Sequence, residues 1–183
     1  MNDRVVRASK FMSLVLRHQP DKIGIELDAN GWTSVADLIA RSRNGSVRLS
    51  AELIQEVVAT NDKKRFVISE DGLRIRAAQG HSVEVDLNLE ARQPPDILFH
   101  GTAARNLESI RESGLLKGRR HHVHLSLDRE TAVRVGQRHG KPVVLTVQSR
   151  KMWDAGIPFY RSDNGVWLTD FVDPKYLQFS DEG

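Results

Sequence analysis

Hydrophobic residues at Val5, Ala8, Phe11, Met12 and Val15 recur every three or four positions, the period of a helix with one buried face. The spacing predicts a helix over residues 4–18, ended by Pro20, which has no backbone N–H to continue it. A second helix starts within GWTSVADLIARS, with Thr33 or Ser34 as N-cap ahead of Val35, Leu38 and Ile39. A third, in LSAELIQEVVAT, is capped by Ser50 and sets Leu53, Ile54, Val57 and Val58 on one face. Then the period changes. RFVISEDGLRIRA alternates at every second residue on either side of Glu70-Asp71-Gly72, which signals a β-hairpin.

Three helices followed by a hairpin is the order of a winged helix, a module that binds nucleic acid; a purely structural helical domain fits the same pattern. Residues 1–83 are expected to form this lobe, and residues 84–95, stiffened by Pro94-Pro95, a linker. Beyond it ILFHGT reads as a strand, RNLESIRESGL as a helix, HHVHLS as a strand, DRETAVRVGQRHG as a helix and KPVVLTVQS as a strand. GVWLTDFV reads as one more strand. The fold class is therefore α+β, with a second lobe over residues 96–183. Neither G-x-G-x-x-G nor G-x-x-x-x-G-K-[ST] occurs, which excludes the Rossmann and P-loop readings.

Composition changes little in this picture. The 183 residues are 39% hydrophobic and 28% charged, which suits a globular chain able to bury a core. A net charge of +3 is compatible with an anionic partner. With no cysteine, thiolate nucleophiles and Cys-ligated zinc are excluded. No apolar run near the N-terminus is long enough for a signal or a membrane span, so a cytoplasmic protein without membrane contact is expected.

The chemistry must come from histidine and arginine. In HHVH, His122 and His124 share a face of a strand, as paired metal ligands do, but no carboxylate or thiol stands at ligand spacing, and no metal is expected. His121 fits a surface position, and His139 fits the C-terminal end of a helix. FHGT and HLS each end a strand with a histidine followed by a small polar residue, so neighbouring strands can set His100 and His124 at one cleft. In this feature the C-terminal half resembles the ADP-ribosyltransferases, which bind NAD between split sheets. The resemblance implies that His100, Gly101 and Thr102 hold the nicotinamide ribose and carboxamide, with His124 and Ser126 at the second strand. Most protein-modifying members carry a glutamate on a third strand. Here no glutamate lies between Thr131 and Asp181, and the matching stretch offers Asn164, Gly165 and Val166. A missing carboxylate makes sense if the nucleophile arrives already charged, as a phosphate monoester does.

A phosphate nucleophile calls for guanidinium groups. Arg17 and His18 in LVLRHQP, Lys63 and Arg65 in NDKKRF, and Arg120 in GRRHHVHLS match the pattern of the RNA 2′-phosphotransferases. These enzymes remove the 2′-phosphate from tRNA splice junctions with NAD. GW, RAAQGHS, FHGT, HVHLS and SDNGVWLT…YL follow in the family's order, with Asp173 where the family usually has a second proline. The resemblance implies that NAD is consumed as co-substrate and that RNA bearing a 2′-phosphate is the partner. It also implies that Arg17, Arg65 and Arg120 clamp that phosphate, that His18 shuttles a proton in the second of two steps, and that Lys63 is tied to that step. No protein partner is evident, and a monomer is expected. From the residues alone, Arg17 and His18 also fit compensation of a helix C-terminal dipole, worth about 0.3–1 kcal/mol, and Gln79–Ser82 fits either a phosphate contact or an ordinary turn. Trp32, Trp153 and Trp167 fit core packing better than base stacking. Two rival functions stay open: ADP-ribosylation of terminal nucleic-acid phosphates, and a winged-helix regulator with an inactive transferase lobe.

Overall fold

The computed structural model describes residues 2–179. The chain divides into two compact units, Met1–Asn88 and Leu89–Gly183.

Unit 1 begins with helix α1, Asp3–Arg17, whose first turn is closed by the Asn2 side chain accepting the Arg4 N–H. Pro20 opens a single 3-10 turn, Pro20–Lys22. Strand β1 (Thr33–Ser34) leads into α2 (Val35–Ser42), and Ser34 is the N-cap, its hydroxyl accepting the Asp37 N–H. The other candidate cap, Thr33, lies in β1 instead. The same chemistry starts α3 (Ala51–Thr60), where the Ser50 hydroxyl accepts from Leu53. β2 (Phe66–Ile68) and β3 (Arg74–Ala77) form the hairpin, and β3 is the centre of an antiparallel sheet ordered β1-β3-β2. Gly72 takes φ +74° at the hairpin tip, a conformation that costs a residue with a Cβ. The apolar stripe of α1, including Phe11, Met12, Val15 and Leu16, shares one core with Leu53, Ile54, Val57, Phe66 and Ile75. β1, at two residues, is too short for any period to announce it.

Residues 84–88 stay with this unit: Val85 is buried and the Asp86 N–H donates to the Ala29 carbonyl. The Arg92 N–H bonds to the Phe159 carbonyl, and the Ser149 hydroxyl bonds to the Pro95 carbonyl, so that stretch belongs to unit 2.

Unit 2 runs β4 (Leu98–Ala103), α4 (Leu107–Ser113), β5 (Leu115–Leu116), β6 (Val123–Leu125), α5 (Arg129–Gln137) and β7 (Pro142–Val147). It continues through α6 (Ser149–Asp154), β8 (Tyr160–Arg161), β9 (Trp167–Thr169), β10 (Phe171–Val172) and β11 (Leu177–Phe179). Two three-stranded antiparallel sheets, β11-β7-β4 and β6-β9-β8, are joined by a bridge between Phe99 and Ser126. The protein is α+β, as its pattern predicts. GVWLTDFV is not one strand. It breaks at Asp170, so that β9 pairs with β6 while β10 crosses to pair with β5. The break is held on both sides: the Thr169 hydroxyl donates to the Pro158 carbonyl, and Asp170 lies 3.7 Å from His122 Nε2. Among the described residues, no helix is long and apolar enough to cross a membrane.

Helix α5 lies unusually close to β4. A Cβ on Gly101 would meet the Ala132 carbonyl oxygen at 1.7 Å, and one on Gly136 would meet the Thr102 carbonyl at 2.7 Å. Backbone cannot retreat as a flexible side chain can, so overpacking here must push the helix off the strand. Gly101→Ala is expected to destabilise unit 2 by about 3 kcal/mol, read as a lowered denaturant midpoint. An unchanged midpoint would show that α5 does not sit this tightly.

Candidate functional site

In unit 1 the site is built where α1 ends. His18 is the C-cap, its N–H still bonded to the Leu14 carbonyl at 3.0 Å. The Arg17 carbonyl, one of the acceptors a helix end leaves open, receives the Ser82 N–H at 2.9 Å and the Val83 N–H at 3.4 Å. The Ser82 hydroxyl lies 2.9 Å from His18 Nδ1. Gly80, at φ +85°, lets the chain pass against the Arg17 guanidinium, which a Cβ there would approach to 3.7 Å. Arg17 Nε and one terminal nitrogen are shut off from solvent. Helix-end decoration returns about 0.3–2 kcal/mol, and withdrawing part of a guanidinium from water works against it. A simple dipole role does not account for an arginine with two guanidinium nitrogens withdrawn from water.

The same segment reaches Arg65, since the Ala78 N–H donates to the Arg65 carbonyl at 2.8 Å. Lys63 sits just before it in a turn held by Asn61, whose side chain accepts the Lys63 N–H and whose carbonyl accepts the Lys64 N–H. Unit 1 thus gathers Arg17, His18 and Arg65 around residues 78–83, with Lys63 in the adjoining turn. The stretch Gln79–Ser82, ambiguous in the sequence, is the piece that joins them. Nothing in the periodicity announces this; the only signal is two polar residues flanking a glycine directly after a strand.

In unit 2 the first-strand residues divide by face. Gly101 faces α5, so alternation turns His100 and Thr102 the other way. His100 Nδ1 is 3.1 Å from the His124 carbonyl. Burial pushes the His100 imidazole below its ordinary value of 6.5, and the positive charges of Arg120 and His139 push it further in that direction; the His124 carbonyl opposes them. A neutral ring donating through Nδ1 must leave Nε2 as an acceptor. Thr102 is buried, its hydroxyl accepting from the Asn106 amide.

Arg120 donates to His124 Nδ1 at 3.0 Å. A guanidinium only donates, so that nitrogen carries the lone pair. Burial, then the charge of Arg138, lowers the Arg120 pKa, which still leaves a cation at neutral pH. Ser126 exchanges two backbone hydrogen bonds with Phe99, at 2.8 and 2.9 Å. The β6–β9 register runs Val123↔Thr169, His124↔Leu168, Leu125↔Trp167; one step further sets Ser126 opposite Val166. Asn164 and Gly165 complete that turn, anchored by the buried Ser162, whose hydroxyl accepts the Val166 N–H, with Gly165 at φ +83°. Unit 2 therefore brings His100, Thr102, Arg120, His124, Ser126, Asn164, Gly165 and Val166 to the junction of its two sheets, with Gly101 facing the helix behind. His139 enters this neighbourhood by its charge on His100, a closeness invisible in its sequence position after α5. Trp167 packs in the core, Trp153 packs partly against it, and Trp32 lies half-buried beneath two arginines.

A fold of this class with this pair of clusters has a known counterpart. The model of the RNA 2′-phosphotransferase, Tpt1/KptA family matches residues 3–171. The chain is 57% identical to a "Probable RNA 2′-phosphotransferase" of Agrobacterium fabrum, with 94% of this chain and 92% of the relative covered. It is 56% identical to a protein of the same name in Rhodopirellula baltica, over 96% of each. A third, from Flavobacterium johnsoniae, is 53% identical over 98% of this chain and 99% of its own. This chain belongs to the RNA 2′-phosphotransferase family.

The His100 environment makes a pH prediction. Its folded pKa is depressed, so below pH 6.5 the unfolded chain takes up the proton first. This group's contribution to stability is fully present above pH 6.5 and is lost as the pH falls toward the folded pKa. The unfolding free energy of the His100→Gln variant is expected to fall less steeply than that of the parent between pH 6.5 and 5. Parallel profiles would mean that the histidine is not held neutral.

Proposed function

We propose that this chain removes an internal RNA 2′-phosphate in two NAD-dependent steps. The observation that carries the reading is electrostatic: the Arg120 guanidinium donates to His124 beside His100, and Val166 extends the row where related transferases keep a glutamate. Such surroundings suit a nucleophile that brings its own negative charge. Unit 1 is read as a winged-helix RNA-binding lobe, supported by its order of three helices and a hairpin. Unit 2 is read as an ADP-ribosyltransferase-like lobe, supported by its two joined antiparallel sheets with histidines on facing strands. Its residues fit NAD. The His100 Nε2 acceptor suits a ribose hydroxyl, Thr102, Ser126 and the 164–166 turn line the same junction, and Arg120 with His124 supplies positive charge beside it.

In the first step an oxygen of the 2′-phosphate bonds to the anomeric carbon of the nicotinamide ribose. The carbon–nitrogen bond breaks, and nicotinamide leaves with the electron pair as a neutral molecule. In the second, the ribose 2″-hydroxyl attacks the phosphorus and the RNA 2′-oxygen leaves, taking a proton. The products are 2′-OH RNA and ADP-ribose 1″,2″-cyclic phosphate. The family resemblance assigns phosphate contact to Arg17, Arg65 and Arg120, and such cations stabilise the charge that grows on phosphoryl oxygens in the second step. Lys63 adds a further cation to that step. His18, its ring oriented through the Ser82 hydroxyl, has the chemistry to move the proton. No metal is required.

A 2′-phosphorylated oligonucleotide is expected to lose its phosphate only when NAD is added, with one nicotinamide released per phosphate. Phosphate loss without NAD would overturn the reading. Arg65→Ala and Lys63→Ala are expected to slow the second step by about 10²–10³ and to accumulate ADP-ribosylated RNA on a denaturing gel. Loss of nicotinamide release in those variants would move both residues to the first step.

A further inference from the structure

We propose that the outer face of the unit 1 sheet docks the single-stranded RNA flanking the reacting phosphate; the identity of the polymer rests on the function proposed above. The register of β2 and β3 carries the proposal. Phe66 lies opposite Ala77, Val67 opposite Arg76 and Ile68 opposite Ile75, and residues directly opposite in an antiparallel pair share a face. The ladder continues at both ends. The Ala78 N–H bonds to the Arg65 carbonyl, and the Ser69 N–H bonds to the Arg74 carbonyl. Phe66, Ile68, Ile75 and Ala77 turn inward to the core, so Arg65, Val67, Arg74 and Arg76 turn outward.

That outward face carries one arginine in each successive row: Arg65, then Arg76, then Arg74. Rows two residues apart are about 6.6–7 Å from one another, a spacing similar to that of neighbouring phosphates on an extended strand. The first of the three already belongs to the phosphate cluster. The other two are held in place by an aromatic ring, with the Arg76 guanidinium 4.7 Å and the Arg74 guanidinium 5.3 Å from the centre of Trp32. Stacking fixes a planar fork before any ligand arrives, so less side-chain entropy is lost on phosphate contact. Ala78, Val67, Ser34 and Ser69 share these rows, and the Asp71 carboxylate at the hairpin tip is bonded to them, accepting from the Ser69 hydroxyl and feeling the charge of Arg74.

The opposite expectation, that RNA lies along α3 as nucleic acid lies along the recognition helix of many such modules, meets the wrong charge. The exposed positions of α3 include Glu52, Gln55, Glu56 and Ala59, with no cation among them. Two carboxylates there repel a phosphate backbone with no cation on that helix to offset them, whereas the sheet face carries three arginines alongside the Asp71 carboxylate.

The test is binding of a short, dye-labelled single-stranded RNA without a 2′-phosphate to the full chain, followed by fluorescence anisotropy over a range of salt. Arg74→Ala combined with Arg76→Ala is expected to raise Kd roughly tenfold. It is also expected to flatten the logarithmic salt dependence by about 1.4, the contribution of two phosphate contacts on a single strand. The double Arg→Lys variant keeps the salt slope. Glu52→Gln with Glu56→Gln leaves Kd within about twofold. Unchanged affinity and slope in the double alanine variant overturns the proposal, as does a large gain or loss on changing the two α3 carboxylates. If polyglutamate binding falls while RNA binding does not, the face docks an acidic protein and the proposal fails. Should the double variant not fold, as judged by its melting curve, the exposed Arg74→Ala alone carries the test with half the change in slope. Because the probe lacks the reacting phosphate, this result is independent of catalysis. A chain that binds RNA through Arg74 and Arg76 but removes no 2′-phosphate refutes the function and leaves the surface.

Discussion

The Arg17 carbonyl, captured by the N–H groups of Ser82 and Val83, is the join on which the chemistry of unit 1 depends. A helix ends with carbonyls that need donors, and most chains satisfy them with a glycine cap or with water. Here the donors come from a segment 64 residues away in sequence from the helix end (the separation of His18 and Ser82). The consequence is positional. The segment that closes the helix also orients the His18 ring, packs Gly80 against the Arg17 guanidinium and, at Ala78, ties in the strand bearing Arg65. Three residues distant in sequence are fixed by backbone hydrogen bonds, which hold position better than the long side chains could on their own.

Unit 2 reaches the same end by removing atoms. Gly101 and Gly136 let α5 lie against β4 at a distance no Cβ would permit. Covering one face of β4 in this way leaves His100 and Thr102 on the other, where the second sheet joins through Ser126. His100 is then withdrawn from water and bonded to a carbonyl, which fixes both its charge state and the role of each ring nitrogen. Gly101, proposed above as a cofactor contact, has a packing necessity of its own. The two roles do not compete, since a residue without a side chain can touch the helix behind and present its backbone in front.

The elements with several turns were legible in the chain. The α1 stripe, the serine caps at Ser34 and Ser50, and the alternating hairpin all follow from period and cap chemistry. What was not legible was short or non-local. β1 and β5 have two residues each, and α6 has six, too few for periodicity to separate them from a turn. The change of sheet at Asp170 depends on which strands are already in place, and a pattern of β-branched and aromatic residues contains no such information. At the site, the types of residue were readable and their partners were not. That His18 meets Ser82, that Arg120 donates to His124, and that His139 acts on His100 are facts of tertiary structure. Gln79–Ser82 shows the limit most clearly: nothing in its residues announces the backbone hydrogen bond to the end of a distant helix.

Charge ties these observations into one physical case. A transferase whose acceptor is a neutral side chain needs a base near the reacting carbon, and a carboxylate serves. An acceptor that is already an anion is repelled by that carboxylate, by about 1 kcal/mol at 4 Å even in water-like surroundings and by several where water is excluded. The useful change is then to replace an acid with something inert and to spend the nearby positions on cations. On the function proposed above, Val166 is the inert replacement and Arg120, bonded to His124, the nearby cation. Guanidinium rather than ammonium is the better choice, because it keeps its charge when partly buried and meets phosphoryl oxygens two at a time. The same preference recurs on the sheet face of unit 1, where the outward rows carry Arg65, Arg76 and Arg74 and no lysine. Lys63 and Lys64 stand in the turn just before them, exposed. Arg65 and Arg76 are half-buried, while Arg74 and the two lysines are exposed. A guanidinium at a partly buried position suits a surface shaped for phosphate rather than for net charge alone, because it keeps its charge and presents a planar fork.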